Sequence, residues 1–169
     1  MKSNNNNNKK EFETLANRKK RKATGSRGKF AEDVVQKVLV NIQKKDATFD
    51  FDRLLDARAA GRIVPAQVAD FLLFFKGRSA TLEVKGLKKG FRLSKAAFPQ
   101  RPRMIRRAKA GCLGFALVHT LENDRWILAK IEEFTVLQPS WKLTTKNCEQ
   151  FYTAIGAVER IQEWMTNTL

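Results

Sequence analysis

The chain has 169 residues, 33 Lys and Arg against 17 Asp and Glu, a net charge of +16, and 43% apolar residues. That length gives one domain plus tails, with enough chain for one hydrophobic core. Its apolar runs, such as Gly111 to His119, are too brief to span a bilayer. The polar stretch after Met1 carries no secretory signal. Cys112 and Cys148 form neither a disulfide framework nor a zinc-ligand spacing. Together these predict reduced thiols and a cytoplasmic location.

The charge is unevenly spread. Residues 1–30 carry a net +8 and residues 86–109 a net +9, while the rest is almost neutral. Two basic blocks on a neutral body suit a protein that neutralises phosphates at chosen places. The expected partner is therefore nucleic acid. Residues 1–25, with the Asn4–Asn8 run and little apolar surface, are expected to be a disordered basic tail. Residues 26–169 then form a single domain.

In chain order, Phe30, Val34, Val35, Val38, Leu39 and Ile42 recur at helical spacing, with Ser26 as a cap. At about 100° per residue, Glu32 falls on the rim of that apolar stripe and Asp33 well outside it. Phe49-Asp50-Phe51-Asp52 alternates as a strand would, and Asp56 to Gly61 reads as a loop. Asp70 to Phe75 and Ala80 to Lys85 read as two strands of a hairpin, with Lys76-Gly77-Arg78-Ser79 between them. A four-residue loop would set Leu72 opposite Glu83 and Asp70 opposite Lys85. Arg103 to Ala110 reads as a helix that begins after Pro99 and Pro102. Leu113–Thr120 and Arg125–Ile131 form a second hairpin, Ile131–Leu137 a short helix, and residues 148–168 a terminal amphipathic helix. The order helix, strands, helix, strands, helix predicts an α/β fold with a mixed sheet flanked by helices.

The informative constellation is Asp70, Glu83 and Lys85. Strand alternation puts all three on one sheet face, with Leu82 and Val84 on the other. Two carboxylates on one face repel and lose hydration, and a hard divalent cation relieves both penalties. Mg²⁺, with Mn²⁺ as a substitute, fits one or two carboxylates plus phosphate oxygens. The Val84 backbone carbonyl offers a further oxygen, and Glu32 completes the shell from the helix. Such a metal lowers the pKa of a bound water and neutralises phosphoryl charge. Lys85 then orients the hydroxide or stabilises the pentavalent phosphate. Arg101, Arg103, Arg106, Arg107 and Lys109, partly on one helix, are read as phosphate contacts, with Lys88, Lys89 and Arg92 extending the track. His119, the only histidine, is read as a structural or surface residue, Cys112 as a buried strand-edge thiol, and Trp126, Trp141 and Trp164 as core residues, with base stacking as the alternative for Trp141.

Ala69-Asp70 … Glu83-Val84-Lys85 resembles the signature of the restriction-endonuclease-like nuclease superfamily: Pro-Asp, a spacer, then Asp/Glu-x-Lys. Within it the chain is most similar to the RecU-like Holliday-junction resolvases of bacteria and their phages. The likeness covers roughly residues 25 to 135. It includes Arg27-Gly28 before Glu32, Phe98-Pro99-Gln100, Met104, Ala110-Gly111 and the strand Gly114-Phe115-Ala116-Leu117-Val118. The resemblance implies a restriction-endonuclease-like core and a Mg²⁺-dependent structure-selective DNA endonuclease. Its metal ligands would be Asp70, Glu83 and Glu32, and Gln100 would have a catalytic or DNA-positioning role. Arg27 and Lys29 would join the DNA surface. It also implies a homodimer and a short projecting stalk at residues 49–63. Apart from the resemblance, strand Leu113–Val118 and the last helix are the two candidate interfaces. The rival expectations are another nuclease of the same fold, acting on ends, nicks or duplex, and a non-catalytic basic nucleic-acid-binding protein.

Overall fold

The computed structural model describes residues 27–54, 67–134 and 139–167. The expected tail (1–25), the Ser26 cap, Asp56–Gly61 and residues 135–137 lie outside them. The expected α/β class is observed. Helix α1 spans residues 27–45. It is followed by β1 (Phe49–Arg53), β2 (Phe71–Phe75), β3 (Arg78–Leu87), β4 (Arg92–Ser94), α2 (Arg101–Lys109), β5 (Leu113–Thr120), β6 (Arg125–Lys130), β7 (Ser140–Lys142), β8 (Glu149–Phe151) and α3 (Ala154–Asn167). Six strands form one sheet in the order β1-β2-β3-β5-β6-β8, and β4 pairs with β7 in a separate ribbon. Among the described strands only β3 and β5 run parallel; their connection carries α2.

Alternation along the strands divides the core between the two sheet faces. On one face Phe71, Leu73, Leu82, Val84, Phe115 and Leu117 pack against Ala31, Val35 and Leu39 of α1 and Val158, Ile161 and Met165 of α3. On the other, Ala116, Val118, Ile127 and Ala129 pack against Met104 of α2 and the Phe98, Phe134 and Trp141 cluster. Those three rings meet edge to face with centroids 5.2 to 6.4 Å apart, the arrangement aromatic quadrupoles favour. Leu82 and Val84 thus point away from the charged face, as expected. Among the described residues no helix is long and apolar enough to cross a membrane.

Several expectations need correction. The β2–β3 turn holds two residues, Lys76 and Gly77, both at positive φ (48° and 77°). That is the geometry that matches the twist of a tight hairpin. Phe75 therefore pairs with Arg78, Leu72 with Thr81 and Phe71 with Leu82. The register differs from the four-residue expectation by two residues. Side-chain parity is kept, and Asp70 comes opposite Glu83 instead of diagonal to it. Residues 49–53 are the edge strand β1, paired with β2 from Phe49↔Phe75 to Arg53↔Phe71. They are no part of a projecting stalk; residues 55–63 of that expectation lie outside the described residues. Helix α2 starts at Arg101 and takes Pro102 into its first turn, where no intrahelical N–H partner is lost. Strand β5 lies between β3 and β6, so its edges are filled and it offers no strand-pairing interface. Phe30, expected in the core, is 53% exposed, with its ring centroid 5.9 Å from that of His119 on β5.

Glycine sets how close α1 can come. A Cβ on Gly86 would lie 2.7 Å from the Arg27 carbonyl oxygen and 2.9 Å from its carbon. Gly86→Ala is expected to push the first turn of α1 off β3 and to destabilise the fold by about 1–3 kcal/mol, read as a lower denaturation midpoint. Because that turn leads into Glu32, the contact also fixes one wall of the site.

Candidate functional site

The end of β3 and the residue before β2 bring three charged groups together. Asp70 is held by its own hairpin: the Val84 amide N–H donates to its Oδ2 at 2.7 Å. The Val84 side chain is in the core, so the observed link from Val84 to the site is this amide. Glu83 is fully buried, and the Lys85 ammonium contacts its Oε1. Neither Glu83 oxygen accepts a hydrogen bond of ordinary geometry from the protein. Lys85 is 22% exposed and reaches from the buried carboxylate toward solvent.

Burial dominates the electrostatics. Loss of hydration pushes Glu83 up to about 8, and the Asp70 charge adds to this while Lys85 opposes it. Asp70 is raised to about 6, again by burial first, with Lys85 and the Val84 amide pulling it down. Glu32 lies close enough for its charge to raise both. Its carboxylate is engaged by Arg53, with Nη2 to Oε2 at 3.2 Å. Arg53 also reaches Asp33 at 3.5 Å and donates to Gln36.

These facts allow a test of whether a divalent cation suits the residues present. Two facing carboxylates, both pushed toward the neutral acid and one without ordinary hydrogen bonds, would be relieved by a double positive charge. Among the described residues no three His, Cys, Asp or Glu side chains form a metal-binding cluster. The donor set is Asp70 and Glu83, which fits a cation that keeps most of its water. Glu32, whose charge reaches that pair, is held by Arg53.

The other expected residues are spread more widely. Gln100 precedes the first turn of α2, and its Oε1 is buried without a partner. No hydrogen bond joins it to Asp70, Glu83 or Lys85. Lys29, Lys88, Lys89, Arg92, Arg106, Arg107 and Lys109 are exposed, and Arg27 and Arg103 are half-buried. Arg101 is a correction. It is 6% exposed, its Nε donates to the Phe134 carbonyl, and its guanidinium lies 5.7 Å from the Trp141 ring centroid. A side chain so enclosed braces the aromatic cluster and has no face left for a nucleic-acid backbone. Arg101→Ala is expected to lower stability by about 1–3 kcal/mol and to leave the salt dependence of DNA binding unchanged. Arg107→Ala is expected to do the reverse, reducing the log–log salt slope by about 1. Thermal melts and binding titrations at several salt concentrations check the pair. His119 is buried and structural, bonded to Asp124 at 2.9 Å and stacked on Trp126 at 4.4 Å.

Arg53 is the residue that sequence reasoning missed. It stands 17 positions before Asp70 with no motif around it. Only the β1–β2 pairing brings it to α1.

No protein-family model matches the chain, and no curated protein does. Among solved structures, 16 chains match. One is Hjc of Archaeoglobus fulgidus, a Holliday junction resolvase from an archaeal hyperthermophile, at 16% identity and a TM-score of 0.49, covering 68% of this chain and 88% of that one.

Proposed function

We propose that the protein is a Mg²⁺-dependent, structure-selective DNA endonuclease, and specifically a RecU-like Holliday-junction resolvase. The observation that carries the proposal is the buried Asp70–Glu83 pair with Lys85 against it, on a chain of net charge +16. Asp70 and Glu83 hold the cation. When bound, the metal supplies an acidified water and charge neutralisation at the phosphate. Asp70 is oriented by the Val84 amide. Lys85, anchored at Glu83 and partly open to solvent, donates to the attacking oxygen or to a phosphate oxygen as charge builds there. Exposed cations on α2 and after β3 hold the backbone in register.

The choice of a four-way junction rests on the sequence resemblance, in particular Phe98-Pro99-Gln100 and the Gly114–Val118 strand beside the Glu83-Val84-Lys85 motif. Cutting two strands symmetrically requires a homodimer. The last helix offers Ile155, at 43% exposure, to a partner copy. The test offers the protein a synthetic four-way junction, a linear duplex and a flap in Mg²⁺. Paired symmetric nicks confined to the junction are expected. Equal cutting of all three would leave a general nuclease of the same chemistry, and binding without cutting would leave a nucleic-acid-binding protein.

A further inference from the structure

The candidate site has a carboxylate at hand that it does not use. Glu32 is near enough for its charge to act on Asp70 and Glu83, yet its Oε2 is bound to Arg53 at 3.2 Å. Its Oε1 lies over the first turn of α1, 3.9 Å from where a Gly28 Cβ would stand. The Arg53 partners Glu32, Asp33 and Gln36 all come from α1. The Glu32 and Arg53 side chains are 28% exposed, so an anion arriving from solvent can reach the guanidinium. Among the described residues no three His, Cys, Asp or Glu side chains form a metal-holding group, so the site has two carboxylates, and the third acid whose charge reaches them is held by Arg53.

We infer that Arg53 is a positioning residue that holds Glu32 back from the Asp70–Glu83 pair, so that the third carboxylate joins the site only when another anion draws the guanidinium away. The inference rests on the nuclease reading above. The competing anion is a backbone phosphate of the substrate, whose geometry a guanidinium fork matches as well as it matches a carboxylate. Metal-site completion is thereby tied to substrate engagement, and the free protein holds its metal weakly. Lys85 cannot serve in this way, because its ammonium is on Glu83 itself.

The experiment is a calorimetric Mn²⁺ titration of the full chain without DNA, with thermal melts confirming that each variant is folded. Arg53→Ala is expected to tighten Mn²⁺ binding by about fivefold, the scale of one released ion pair. Arg53→Lys should fall between the two. Adding Glu32→Gln to Arg53→Ala should return the affinity to the wild-type value, a result that a merely structural brace would not give. Should Arg53→Ala fail to fold, Arg53→Gln serves, since it drops the charge and keeps a polar side chain. Unchanged or weaker binding in a folded Arg53 variant would overturn the inference and leave the nuclease reading standing. Mn²⁺ binding that is absent from the wild type, or indifferent to Asp70→Asn, would overturn both.

Discussion

Lys85→Ala is expected to slow cleavage of a four-way junction in Mg²⁺ by a factor on the order of 10² to 10³, with junction binding retained. The ammonium is held against Glu83 and is 22% exposed, so it is fixed in place and still open to a substrate oxygen. Removing it takes away a preorganised donor and one of the groups that pull Asp70 and Glu83 down. Both effects lower the rate. Binding is spared because the exposed cations of α2 and of the segment after β3 are untouched. Lys85→Arg is expected to rescue poorly, since a planar fork cannot replace a compact ammonium beside a fully buried carboxylate. Gel assays of nicking and of binding on the same junction separate the two effects. A Lys85→Ala protein that cuts at the wild-type rate would remove the hydrolytic proposal.

What made Lys85 readable in the sequence is the two-residue period of a strand. Glu83 and Lys85 share a face whatever the turn, and Leu82 and Val84 must then face the core. The partner strand was readable only to its parity. Lys76-Gly77-Arg78-Ser79 admits a two- or a four-residue turn, and the choice falls to Lys76 accepting positive φ beside Gly77. A difference of two residues keeps Asp70 on the right face and moves it opposite Glu83; a difference of one would have undone the site. Helix periodicity located α1, but Phe30 at its start is 53% exposed and outside the core. The three-residue strands β4, β7 and β8 carry no pattern of their own and exist through their pairing partners. Arg101 shows why charge alone misleads. In the sequence it belongs to a basic run, and the fold spends it on a carbonyl and an indole. Arg53 escaped notice for the complementary reason: its partners are 17 to 21 residues away on α1.

In the absence of metal the protein is expected to lose stability as pH rises through the neutral range, and Glu83→Gln is expected to remove much of that loss. Burial raises Glu83 from its ordinary value of 4.5 to about 8 and Asp70 from 3.8 to about 6. A carboxylic acid with a folded pKa above its unfolded one binds its proton more tightly in the folded state. Its stabilising contribution is complete below the unfolded pKa and is lost as pH climbs through the folded pKa. For Asp70 that window runs from about 4 to about 6, and for Glu83 from about 4.5 to about 8. The two titrate as a pair, because each charge opposes the other. Melts in a chelator should therefore show a wild type that matches Glu83→Gln near pH 4 and falls below it near pH 8, by an amount on the order of a few kcal/mol. Added Mg²⁺ should restore the wild type at pH 8 and do little for the variant, since the metal supplies the positive charge that burial denies to the carboxylates. A Glu83→Gln protein that is less stable than wild type by the same margin at both pH values would mean that Glu83 is comfortably charged where it sits, and that the buried pair has no need of a cation.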